Sequence, residues 1–271
     1  MPPVTAGNST QIVNNPVMKR VAGIGFLVYG GLYVVVGALA AKAALGTGGR
    51  ITSTQGAILE LAREPFGGIL LIVVMLGLFA YSLWRFVQVI TDPERHRGTT
   101  GVVIRGGRLV SSVSYAALAV FTLRIVTGAR RTGGDSNWAL RLVTEPLGAV
   151  VGTLIGLTIV GAGIAQFYKA YTADFGEPMH HSQMTRPERT WGHYAGRLGF
   201  TARAVVFTMI GAYLLYAVFD ANPNRAKSVD ALLLSLLSLP YGNWILGLVA
   251  LGLASYGMFM ILVSIHRKHP Y

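Results

Sequence analysis

The sequence contains no cysteine and very little charge. The missing thiols exclude a disulfide scaffold, a cysteine-ligated metal centre and a thiol enzyme. Charged residues make up 13% of the 271 positions, about half the ~25% of ordinary soluble domains. Acids are scarcest, with 11 Asp and Glu against 23 Lys and Arg, a net charge of +12. No acid falls in the middle of a long apolar run, which weakens a proton-coupled pump mechanism, because such relays use Asp, Glu or His at depth. The histidines (His96, His180, His181, His193, His266 and His269) also fall outside those runs. A haem clamped between helices would need axial histidines inside them, and no cofactor is expected. Catalytic motifs are missing too: there is no Gly-x-Ser-x-Gly elbow, no P-loop and no His-Glu-x-x-His. The loop 128–134 carries Arg130 and Arg131 but lacks the lysine-serine of a nucleotide loop. The expectation is a protein that is not an enzyme.

Apolar residues are plentiful, at 52%. A membrane-spanning helix needs roughly 20 mainly apolar residues. Stretches 21–41, 66–84, 146–168 and 243–265 qualify, each free of Asp, Glu, Lys and Arg. Two shorter ones, 109–123 and 204–219, are bounded by Arg108 and Arg124 and by Arg203 and Asp220. Arginine at a helix end can snorkel to the interface, so both can still cross. The first stretch is longer than the roughly 7–15 apolar residues of a cleaved signal and is expected to be retained.

An internal repeat organises these six runs. Pro65-Phe66-Gly67, Pro146-Leu147-Gly148 and Pro240-Tyr241-Gly242 each open the second helix of a pair. Sixteen residues after each proline stand Tyr81, Ala162 and Tyr256; nineteen after stand Trp84, Ala165 and Phe259. Upstream, Tyr29, Tyr115 and Phe207 take equivalent places in the first helices. Before the prolines lie short apolar stretches with N-cap signals, Ser53-Thr54, Asp135-Ser136 and Ser228-Val229-Asp230. These predict short interfacial helices. Proline suits a fresh first turn and disfavours helix just before it. The expected fold is an all-α membrane protein with six transmembrane helices, arranged as three parallel-oriented helical hairpin repeats, each with a short interfacial helix before a Pro-x-Gly turn. The expected organisation is a tail at 1–17, hairpins at 18–93, 102–174 and 193–268, and a cytoplasmic linker at 175–192.

Repeats inserted in one sense are related by an axis along the membrane normal, unlike inverted transporter repeats. Fourteen of the 23 basic residues lie on the side of the termini. Basic excess marks the cytoplasm, so both termini are expected inside a bacterial plasma membrane. The positive charges fringe helices and form no stripe, so no nucleic-acid partner is expected; the lipid bilayer and its anionic headgroups suffice.

The threefold hairpin, the Pro-aromatic-Gly turn and the run Tyr81-Ser82-Leu83-Trp84-Arg85-Phe86-Val87-Gln88 resemble the prokaryotic domain-of-unknown-function family 1206. The resemblance covers residues 18–268 and implies a multi-pass bacterial membrane protein. It carries no activity, so no functional residue follows from it. The second repeat departs from the pattern at Ala162 and Ala165.

Several residues are candidates on their own chemistry. Arg85, Gln166 and Arg203 are polar side chains within apolar helices, and could form an anion or lipid-headgroup site. Tyr29, Tyr81, Tyr115 and Tyr256 need hydroxyl partners and could line an interior path, though interhelical hydrogen bonds are the simpler reading. Gly148, Gly152 and Gly156 form a small-residue face for helix packing, within the chain or against another membrane protein. His180, His181 and His193 match no standard metal spacing and are weak ligand candidates. Three functions remain: a non-catalytic accessory or scaffold protein acting through membrane proteins or lipids, a small-solute or ion pathway between the hairpins, and a membrane enzyme, the least supported.

Overall fold

The structure, a computed structural model, describes residues 15–48, 52–91, 98–129, 146–172, 175, 184–222 and 225–266. Among them helix is the only regular secondary structure. Six helices are long and apolar enough to cross a membrane: α1 (Pro16–Ala44), α3 (Gly67–Thr91), α4 (Gly98–Val126), α5 (Pro146–Thr172), α6 (Arg186–Phe219) and α8 (Gly242–His266). Two short ones precede the proline turns of repeats 1 and 3: α2 (Thr54–Leu61) and α7 (Val229–Leu237). The protein is an all-α, multi-pass membrane protein built from three hairpin repeats.

Local chemistry sets the helix starts. Asn15 caps α1 by accepting from the Val17 amide at 2.9 Å. Ser53 and Ser228 cap α2 and α7. Thr185 and Glu188 form a reciprocal capping box that starts α6. The Pro-x-Gly turns also have a physical reason. Phe66 and Tyr241 sit in the left-handed region, at φ 66 and 60. This reverses the chain after the short helix and leaves each ring about four-fifths exposed, as suits an aromatic at a membrane interface. The glycine that follows is forced by space: a Cβ on Gly67 would lie 2.6 Å from the Ala62 carbonyl oxygen, and one on Gly242 would strike the Leu236 carbonyl.

The short helices bury one face. Ala57 and Ile58 of α2 and Leu232 and Leu233 of α7 are fully buried, while Leu59 and Leu234 face outward. The Ser53 amide donates to the Asp230 carboxylate, and Ser53 Oγ donates to Asp230 Oδ2 at 3.3 Å. One short helix thus helps cap the other, tying repeats 1 and 3 at the end away from the termini. The corresponding stretch of repeat 2 lies outside the described residues.

The spanning helices form a cyclic arrangement. The second helix of each repeat packs on the first helix of the next: α3 on α4, α5 on α6, and α8 on α1. Each pair crosses at matching small residues. Gly30 meets Gly257 so closely that a Cβ on Gly30 would fall 2.6 Å from the Gly257 carbonyl oxygen. The equivalent pair in α5 and α6 is Gly163 and Ala204, where an added Cβ would lie 3.1 Å from the Ala204 carbonyl oxygen. The equivalent pair in α3 and α4 is Ser82 and Ser112, which exchange side chain-to-backbone hydrogen bonds of 2.8 and 3.0 Å. A second crossing repeats one level along: a Cβ on Gly37 would lie 2.8 Å from the Ala250 carbonyl oxygen, and one on Gly211 would lie 2.9 Å from that of Gly156. Small residues let backbones touch where lipid offers no hydrophobic drive for association.

Within repeats the symmetry breaks. In repeat 1, α1 packs on α3, and in repeat 3, α6 packs on α8; α4 and α5 have no comparable contact. Their most apolar stretches are only 17% buried, against 39–50% in the other four spanning helices. The six helices therefore form a ring with one open seam, inside repeat 2.

Three expectations change. The expected linker 175–192 is partly helix, because the Thr185 capping box starts α6 at Arg186. The third crossing is much longer than 109–123: α4 runs Gly98–Val126, with Arg108 buried inside it. The equivalence of Tyr29, Tyr115 and Phe207 shifts by one turn. Gly25 abuts the Tyr81 backbone as Gly199 abuts that of Tyr256, so Tyr33, Tyr115 and Phe207 correspond, and Tyr29 corresponds to Arg203.

Candidate functional site

Aromatic side chains from four helices meet inside the ring. Tyr29 of α1 stacks on Tyr81 of α3, with ring centroids 4.6 Å apart. It meets Tyr115 of α4 edge-on at 4.8 Å and Tyr256 of α8 at 5.9 Å. Tyr33 joins against Tyr29 and Tyr256, each at 5.0 Å. All four interior tyrosine candidates therefore come together. The hydroxyls form a short chain: Tyr115 donates to Tyr29 at 2.6 Å, and Tyr29 and Tyr256 lie 3.4 Å apart.

Arg203 enters this cluster from α6. It sits about midway along that helix, some 25 Å from either end at ~1.5 Å per residue. Its Nη1 donates to Tyr29 Oη at 2.8 Å. Its guanidinium lies 4.2 Å from the Tyr256 ring centroid, 5.0 Å from Phe207 and 5.2 Å from Tyr33. Only 9% of the residue is exposed, and its Nε has no hydrogen-bond partner. No acid occurs among the buried described residues. Aromatic faces offset part of the cost of burying a cation, but they supply no acceptor for Nε.

Arg85 is more exposed than Arg203. Its Nε and Nη2 donate to Tyr81 Oη at 3.0 and 2.7 Å, and its Nη1 donates to Gln88 at 3.0 Å. Gln166 is its equivalent in repeat 2 and is 8% exposed. One turn before Arg85 stands Tyr81; one turn before Gln166 stands Ala162. The acceptor-donor pairing of repeat 1 has no counterpart, and Gln166 Oε1 has no partner.

The structure does not gather the other candidates into this site. Gly156 packs against Leu215 and Gly211 of α6, Gly152 is buried and Gly148 half-buried. This face therefore joins α5 to α6. His193 touches Phe175, with centroids 6.3 Å apart; His180 and His181 lie outside the described residues. No group of three potential metal ligands occurs among the described residues. Tyr33 and Phe207 flank Arg203; the sequence marks Phe207 only as a repeat equivalent and does not mark Tyr33. Registering the repeats on Gly25 and Gly199 would have found both.

Three stretches, 24–92, 106–173 and 198–267, match the family described as Domain of Unknown Function (DUF1206). Each covers one pair of spanning helices. The chain is also similar to an uncharacterized protein, YxxB, of Bacillus subtilis (strain 168), with 32% identity over 255 residues, covering 93% of this chain and 92% of that one. No solved structure matches. With its six spanning helices and three matched repeats, the chain belongs to the DUF1206 family.

Proposed function

We propose that the protein is a non-catalytic accessory protein of the bacterial plasma membrane, which binds an anionic group inside its helix ring at Arg203. The carrying observation is a 9% exposed arginine, with no buried acid around it and an unpartnered Nε. A charge at the centre of a spanning helix costs roughly 2.5–3.5 kcal/mol on insertion scales, and Arg203, at the edge of the uncharged run 204–219, bears part of that cost because it is buried. Such a cost persists in folded proteins chiefly where the group has a task. The basic excess on the terminal side supports cytoplasmic termini. A solute pathway is less well supported, because packed tyrosine rings occupy the centre.

The test uses anion-dependent thermal stability in detergent. A ligand that binds only the folded state raises its stability by RT ln(1 + L/Kd), where L is the free ligand concentration, so the melting temperature climbs with ligand concentration. Wild type should melt higher when phosphatidylglycerol or sulfate is added, and Arg203→Met should not respond. Arg203→Met should itself be at least as stable as wild type without anion, since it removes a buried charge without orphaning an acid. An unchanged anion response in Arg203→Met refutes the proposal.

A further inference from the structure

The open seam explains how an anion could reach Arg203. Repeats 1 and 3 close their hairpins with the same two contacts. Gly25 abuts Tyr81 and Gly199 abuts Tyr256; Gly77 meets Val28 and Gly252 meets Ala202. The repeat 2 equivalents are Gly107 with Ala162, and Val110 with Thr158. All four are exposed, and a Cβ on Gly107 would meet nothing within 4 Å. The ring-facing positions are also reduced in this sector: Ser111 stands where the other repeats carry Tyr29 and Arg203, and Ala162 where they carry Tyr81 and Tyr256.

Polar groups lie along both lips of the seam. On α4, Tyr115 is half-buried and donates to Tyr29, which in turn accepts from Arg203. On α5, Gln166 lies one turn from Ala162 on the same helix face, 8% exposed, with Oε1 unpartnered. The seam is flanked by helices that are apolar and lipid-facing, such as Val113 and Leu154. An occupant must therefore be apolar along most of its length, with an anionic end for Arg203 and a hydrogen-bond donor for Gln166.

We infer that the seam between α4 and α5 is a lateral portal, through which an anionic phospholipid with a hydroxyl-bearing headgroup enters from the bilayer, its phosphate facing Arg203. This rests on the anion-binding reading above and adds the ligand class and its route. A bilayer lipid fits better than an aqueous anion, since the ring is open sideways and packed with tyrosines at its centre.

The test compares lipids retained by the detergent-purified full chain in native mass spectrometry. The probes are phosphatidylglycerol, phosphatidylcholine with the same acyl chains, and sulfate as a competitor. Wild type should retain phosphatidylglycerol over phosphatidylcholine. A seam-closing variant, Thr158→Gly/Ala162→Tyr, installs the residues of repeat 1 and should reduce retention about tenfold. Ala162→Phe, a simpler block at an exposed position, should act in the same direction without lowering the melting temperature. Equal retention by both seam variants overturns the portal but leaves the Arg203 reading intact. Sulfate binding at Arg203 without retained phosphatidylglycerol overturns the lipid assignment alone. Retention by Arg203→Gln equal to wild type overturns both readings.

Discussion

Repeats 1 and 3 and repeat 2 share a plan but not a result. In the first two, a glycine on the first helix receives the backbone of a tyrosine on the second, and the hairpin closes. In repeat 2 the glycine is kept as Gly107, but its partner is Ala162 and the helices stand apart. The contacts between repeats survive at all three junctions. The comparison shows that the ring is held chiefly by its inter-repeat crossings, and that one hairpin can open without dissolving it. It also shows that the polar centre and the seam are linked: replacing one tyrosine leaves Gln166 without a partner on the helix that forms one lip.

The largest expected effect comes from placing the same substitution at equivalent glycines. Gly25→Leu and Gly199→Leu must push apart backbones and should cost about 1–3 kcal/mol or more in detergent unfolding. Gly107→Leu should change stability by less than about 0.5 kcal/mol, as surface substitutions do. Equal losses at all three would mean that repeat 2 is closed in the membrane. Next, Tyr29→Phe removes the oxygen that accepts from both Arg203 and Tyr115. It should cost about 2 kcal/mol by the same assay, the range for stranding buried donors. Asp230→Ala unties α2 from α7 and should cost about 1–2 kcal/mol, since its hydrogen bonds are charge-assisted but only half-buried. Tyr115→Phe removes one donor and leaves Tyr29 bound to Arg203; about 1 kcal/mol is expected.

Much of the architecture is legible in the chain. The uncharged runs locate the six crossings, and the three Pro-x-Gly turns locate the repeats, because proline and glycine act through local backbone geometry. The departures Ala162 and Ala165 mark repeat 2 as different. Their consequence is not legible, since whether α4 touches α5 depends on partners far away in sequence. The length of α6 is hidden as well: residues 186–192 are polar enough to read as linker, yet the Thr185 capping box and the packing of Gly192 on Leu262 of α8 keep them helical. The tyrosines are identifiable one by one as buried hydroxyls in need of partners. Their convergence on Arg203 is not, because the one-turn register of the first helices is set by glycine contacts and not by aromatic spacing.

The open seam is the central claim, and the absence of native cysteine makes it directly testable by oxidative cross-linking in membranes. A disulfide requires Cα atoms within about 7 Å. Ser82→Cys/Ser112→Cys replaces two hydroxyls that lie 3.4 Å apart across α3 and α4 and should cross-link readily. Val110→Cys/Thr158→Cys probes the pair whose equivalents touch in repeats 1 and 3. It should remain reduced under the same conditions; rapid, complete disulfide formation there would show that α4 and α5 pack together and would contradict the account.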